Sequence, residues 1–206
     1  NIGTAATAAP FAGPTSGVIT VTGGISATAA FATTELQLLT STDVLINSRV
    51  NLDPNLNGDF DVIAGRDIIQ SGTNADVTTA GTGFVHYEAG RRIEMNAGTS
   101  ITTVNGDLTL LANDTGTNFG GNFTGITLTD ADLATGTAGP MGEPGGDILL
   151  RGTGGDSGVT NNGIRIASSS SISSQGSGAS AGTITIDGIA GPGTGGDVGV
   201  RIEDSN

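Results

Sequence analysis

The chain has 206 residues, with 20 acids against 7 bases and a formal net charge of −13. Every base is an arginine, at Arg49, Arg66, Arg91, Arg92, Arg151, Arg165 and Arg201, and an acidic chain with no basic stripe repels phosphate, which argues against nucleic acid and anionic lipid as partners. Cys is absent, so disulfides, iron–sulfur clusters and thiolate zinc sites are excluded, and no apolar run approaches the roughly 18 residues of a membrane helix, so membrane insertion is not expected.

Gly fills 36 positions, yet the 35% hydrophobic content and a mean hydropathy of +0.07 set the composition apart from a disordered chain. Apolar residues come in short β-branched clusters between Gly, Asn, Asp, Ser and Thr, which is the chemistry of strands and turns. No stretch keeps the 3.6-residue period of a helix.

Residues 1–16, rich in Ala, Thr, Gly and Pro, read as an irregular lead-in or linker. Residues 17–206 read as a single β-solenoid. A start at Asn1 with no basic-then-apolar leader is expected of a segment processed or excised from something longer. Along the solenoid, apolar pairs flank one polar residue: Ile19/Val21, Leu36/Leu38, Phe60/Val62, Val85/Tyr87, Leu108/Leu110, Ile126/Leu128, Ile148/Leu150, Ile164/Ile166, Ile184/Ile186 and Val200/Ile202. Neighbouring residues of a strand point to opposite faces. The flanked residues Thr20, Gln37, Asp61, His86, Thr109, Thr127, Arg165, Thr185 and Arg201 are therefore expected on the outside, with Leu149 as the exception. The pairs recur at a mean of about 20 residues, the length of one solenoid turn. They predict an all-β, parallel β-helix of about ten rungs and a rod of roughly 50 Å.

Corners are predicted at Gly58-Asp59, Asn105-Gly106-Asp107, Gly145-Gly146-Asp147, Asn162-Gly163, Asp187-Gly188 and Gly195-Gly196-Asp197, where Gly and Asn tolerate positive φ. Longer loops are expected at 113–124, 134–145 and 152–163. The phrase A-G-R-D-I at Ala64 to Ile68 returns as A-G-R-R-I at Ala89 to Ile93, an echo at a spacing of 25 that predicts adjacent coils with equivalent corners. An antiparallel sandwich uses similar strands, but one Tyr and six Phe supply few of the large aromatics that such a core prefers.

Candidate chemistry is sparse. His86 is the sole histidine, expected outward on a strand with Glu88 on its face; a surface strand residue is its ordinary role. The tight i, i+2 carboxylate pairs Asp59/Asp61 and Asp130/Asp132 are the candidate metal ligands, for calcium if any, because oxygen donors suit a hard cation. As a catalytic pair they would serve a polysaccharide-cleaving β-helix. Thr-x-Thr at 20–22, 127–129 and 183–185 is too scattered for an ice-binding array. Arg66, Arg91 and Arg92 are expected to pair with Asp67 or Glu94, or to form a contact patch.

The strings D-V-I-A-G-R-D-I-I (Asp61 to Ile69), A-G-R-R-I-E-M-N-A-G-T-S-I (Ala89 to Ile101), N-G-D-L-T-L-L-A (Asn105 to Ala112) and G-G-D-I-L-L (Gly145 to Leu150) resemble the filamentous haemagglutinin-like exoproteins and related large bacterial surface adhesins. The resemblance covers much of residues 58–206. It implies a right-handed parallel β-helix (β-solenoid) exported to the cell surface, secreted and extracellular, a stalk that mediates attachment to a host or neighbouring cell. No cofactor and no enzymatic activity are expected. The alternative reading is a filament subunit that self-associates through its solenoid ends, and a polysaccharide-degrading enzyme comes third.

Overall fold

The computed structural model describes residues 17–27, 33–52, 57–114, 119–136, 144–176 and 181–203. The predicted lead-in at 1–16 lies outside them, as do parts of the loops expected at 113–124 and 134–145.

In chain order the strands are β1 (Ile19–Val21), β2 (Ile25–Ala27) and β3 (Thr33–Thr40); β4 (Val44–Ile46), β5 (Val50–Leu52) and β6 (Asn57–Ala64); β7 (Asp67–Gln70), β8 (Val77–Thr78) and β9 (Val85–Ala89); β10 (Arg92–Met95), β11 (Thr99–Thr103) and β12 (Leu108–Ala112); β13 (Ile126–Thr129), β14 (Ala131–Thr135) and β15 (Ile148–Thr153); β16 (Ile164–Ala167), β17 (Ser171–Ser174) and β18 (Ile184–Ile189); and β19 (Val200–Glu203). Each group of three is one coil. Every third strand pairs in parallel, giving sheet I (β1-β4-β7-β10-β13-β16-β19), sheet II (β2-β5-β8-β11-β14-β17) and sheet III (β3-β6-β9-β12-β15-β18). The fold is a parallel β-helix, and none of the described residues is helical. Parallel pairing throughout rules out the antiparallel sandwich.

The rung count differs from expectation. Among the described residues there are six complete coils and the first strand of a seventh, not ten rungs of 20 residues, and together they make about 30 Å of rod at ~4.8 Å per coil. The ten pairs read from the sequence belong to two sheets, six on sheet III and four on sheet I, so counting them in one series shortens the period. Down sheet I the true register runs Ile19, Val44, Ile68, Ile93, Ile126, Ile164 and Val200, with steps of 25, 24, 25, 33, 38 and 36. The echo at 25 holds: Ala64 lies beside Ala89 and Ile68 beside Ile93.

Like stacks on like inside the rod. Sheet III aligns Leu36, Phe60, Val85, Leu108, Ile148 and Ile184, and beside them Leu38, Val62, Tyr87, Leu110, Leu150 and Ile186. Sheet II adds Ile25, Val50, Val77, Ile101, Leu133 and Ile172. Most of these side chains are buried, and each full burial of an aliphatic side chain contributes about 1.5–3 kcal/mol. Phe60 and Tyr87 meet edge to face, with centroids 5.9 Å apart. Gln70 interrupts an apolar column between Ile46 and Met95. It is fully buried and satisfied: its amide donates to the carbonyls of Ala75 (2.5 Å) and Ser100 (3.0 Å), and its oxygen accepts from the Tyr87 hydroxyl at 3.1 Å. The flanked polar residues are all half-buried or exposed, as expected, and Leu149 is half-buried on the outer face.

The corner from sheet II to sheet III is built from two columns. Buried Thr79, Thr103 and Thr135 donate to the carbonyls of Gly83, Gly106 and Gly146 at 2.6, 2.5 and 2.6 Å. Those glycines stack so closely that a Cβ at Gly106 would lie 2.0 Å from the Gly83 carbonyl oxygen, and one at Gly146 2.0 Å from that of Gly106. Neither sits at positive φ. Turn freedom, the role expected from the sequence, is therefore not what these positions need; glycine is required because a side chain has no room. The aspartates that follow also have a task, since Asp107 accepts from the backbone N–H of Asp147 (2.8 Å) and Asp147 from that of Thr183 (2.6 Å). Each caps the coil beyond it.

A lateral lobe as the candidate functional site

Where sheet III hands over to sheet I, the first three connections are tight: 41–43, 65–66 and 90–91. The next three, 113–125 (with 115–118 outside the described residues), 154–163 and 190–199, are long, and their described parts leave the rod at the same corner. The first two overlap loops expected from the sequence; the third is signalled there only by a turn at Gly195-Gly196-Asp197.

These loops stack into a lobe. Backbone bonds join them from Gly155 N–H to the Phe123 carbonyl (2.9 Å), Gly191 N–H to that of Asn161 (2.8 Å) and Thr194 N–H to that of Gly158 (2.9 Å). Asparagines and aspartates extend the ladder. Asn161 Oδ1 accepts from Phe123 N–H at 3.2 Å, Asn162 Oδ1 from Val198 N–H at 3.1 Å, and Asp197 Oδ1 from Asn161 N–H at 2.8 Å. Buried Asn113 starts the first excursion in a left-handed conformation (φ 53°), which Asn adopts more readily than most residues. Its amide donates to the Thr153 carbonyl at 3.3 Å and its oxygen accepts from Phe119 N–H at 3.3 Å.

A cleft of about 590 Å³ opens at the root of the lobe, lined by Asp114, Phe119, Thr153, Asp156, Ile189 and Pro192 among others. Arg151 forms an ion pair with the lining Asp114 at 3.6 Å and another with Asp187 at 3.1 Å. The Arg91 guanidinium lies 6.0 Å from the centre of the Phe123 ring.

The residues singled out from the sequence lie elsewhere. Asp59 and Asp61 project from β6 on sheet III, while Asp130 (φ 49°) and Asp132 stand at and in β14 on sheet II. Asp59 accepts from Phe84 N–H (3.2 Å) and Asp132 from the Ser171 hydroxyl (2.5 Å). Among the described residues no three Asp, Glu or His side chains converge as a metal site would require.

Asp61 holds His86. The two are neighbours across the ladder, with Nδ1 2.9 Å from Asp61 Oδ1, and Gln37 donates to Asp61 Oδ2 at 2.6 Å. The hydrogen bond that His86 donates to Asp61 raises its pKa above 6.5 against the opposing effect of burial, and the charges of Asp61 and Glu88 add to it. Burial pushes Asp61 up, but the bonds from His86 and Gln37 outweigh it and hold the carboxyl below its usual 3.8. Alternation along the strand points to Glu88 and misses Asp61, although the spacing of 25 from Asp61 to His86 equals that of the A-G-R echo. Thr109 follows in the same column. The resulting file of Gln, Asp, His and Thr lies on the outer face of a sheet.

Arg66, Arg91 and Arg92 form a diagonal ladder. Arg66 Nε donates to Asp43 Oδ1 at 2.6 Å and its Nη2 to Oδ2; Arg91 repeats this one coil on, with Nε to Asp67 Oδ1 at 2.7 Å and Nη2 to Oδ2. Arg92 reaches Asp67 at 3.3 Å and Glu94 at 2.8 Å. The Arg66 bond holds the Asp43 carboxyl below its usual value despite burial. Pairing with Asp67 and Glu94 matches expectation; the Asp43 partner is an addition.

No protein-family model matches the chain, and no curated protein or solved structure matches it at a significant level.

Proposed function

We propose that this chain is a non-catalytic structural and adhesive β-solenoid, the stalk or repeat region of a secreted bacterial surface protein of the haemagglutinin-like exoprotein kind, mediating attachment outside the cell. The observation that carries this reading is the continuity of the rod. Three parallel ladders and a shared apolar core join each coil to the next, and Arg–Asp pairs add to the join at two successive steps. Such a stack acts as a spacer whose core is extended by each added coil. His86, Asp59, Asp61 and Asp132 are absorbed into coil-to-coil bonds, which supports a structural role for them.

Beads coated with the folded chain are expected to attach to cell layers under flow, and beads coated with heat-unfolded chain are not. Equal attachment would sink the adhesive role. Cleavage of an acidic polysaccharide, lost in Asp59→Asn or Asp130→Asn, would sink the non-catalytic one.

A second reading is favoured by one observation. On the last described strands Ile184, Val200 and Ile202 are 41%, 38% and 73% exposed, with no described strand over β18 or β19, and an apolar strand edge invites another strand to pair with it. In that reading the rods stack end to end into a filament.

A further inference from the structure

The rod alone does not account for the cleft at the root of the lateral lobe. We propose that this cleft binds a single cationic side chain, lysine or arginine, presented by a basic segment of a partner protein. The proposal stands whether or not the rod serves as a stalk.

The lining has two parts. Phe119, Ile189 and Pro192 give apolar walls, and Asp114 and Asp156 bring two carboxylates to the same space. A lysine or arginine matches this division, because its methylene stem covers apolar surface while its charged head reaches for a carboxylate. A cation over an aromatic face gains further. The volume of about 590 Å³ lies within the range of ligand-binding clefts.

The carboxylates have capacity left. Asp156 Oδ1 accepts from Gly121 N–H at 2.8 Å, and among the described residues its Oδ2 accepts from no donor. Asp114 has Arg151 at 3.6 Å, beyond hydrogen-bond reach, while Arg151 Nε bonds to Asp187 at 3.1 Å. The net charge of −13 draws cations to the surface. A second copy of this chain is a poor source of the guest. It has no lysine, and six of its seven arginines are already paired to carboxylates of their own chain.

Titration calorimetry of the whole chain would use blocked tripeptides with a central Arg or Lys, compared with one carrying Glu and with methyl glucoside. Saturable one-to-one binding of the basic peptides is expected, weakened by added salt. Asp156→Asn, which keeps an acceptor for Gly121, is expected to weaken binding about tenfold, the loss of one charge-assisted hydrogen bond. Asp132→Asn, on sheet II, should leave it unchanged. Ile189, 53% exposed at the rim, provides a second variant: Ile189→Lys should abolish binding while keeping the wild-type melting curve. No binding of the basic peptides, equal binding of the acidic or sugar probe, or unchanged affinity in either cleft variant would overturn the proposal.

Discussion

His86 illustrates how much a single position depends on a neighbour one coil away. As the only histidine in the chain, it gives one imidazole resonance whose titration can be followed by NMR. The bond to Asp61 should place that titration above the usual 6.5, and Asp61→Asn should bring it back to that value or below, since burial alone lowers it. An unchanged midpoint in the variant would show that the pair does not act as drawn. The consequence for stability has a definite sign. The His86 contribution is fully present below pH 6.5 and is lost as pH rises through its raised folded value. The Asp61 contribution is present above 3.8 and is lost as pH falls through its lowered value. The pair therefore supports the fold most between those limits, under mildly acidic conditions.

At the scale of an element, the glycine column decides how tightly the coils approach. Gly106→Ala would place a methyl carbon 2.0 Å from the Gly83 carbonyl oxygen, so the backbone of two coils must part. A loss of about 3 kcal/mol is expected from forcing an extra carbon into a packed site. Gly23 is the control, because nothing lies within 4 Å of the place a methyl carbon would take there. Gly23→Ala should change stability by less than about 1 kcal/mol. Urea midpoints of the two variants check the contrast, and equal shifts would show that close approach is not the constraint. The lobe follows the same logic: its loops are long, yet they stack by the same coil-to-coil bonds as the strands.

For the whole molecule, the question of partners at the rod's end is a matter of exposed core. Ile184 and Ile202 belong to inward columns but face outward along the axis, because no described strand lies over β18 or β19. Their expected burial is right for the column and wrong for the end of it. If rods stack end to end, the double variant Ile184→Asp with Ile202→Asp should abolish assemblies seen by sedimentation, with a melting temperature within a few degrees of wild type. Assemblies that survive the two charges would sink the filament reading. So would a wild-type chain that sediments only as a monomer.

Alternation of apolar and polar residues is local, and from it the amino-acid sequence alone determined ten of the nineteen described strands, their inward and outward faces and the class of fold. The A-G-R echo even carried the true coil length of 25 for one pair of turns. Register is not local: it depends on the length of every connection, and a change of coil length moves each later pair. Only the tertiary structure could therefore sort the ten pairs into two sheets and reveal the third, whose strands of two to five residues carry Thr and Ser among their aliphatics. The same cause hid the lobe and its cleft. Asp114 and Phe119 on one connection, Asp156 on the next and Ile189 at the start of the third are far apart in the chain and meet because three successive coils lengthen at one corner.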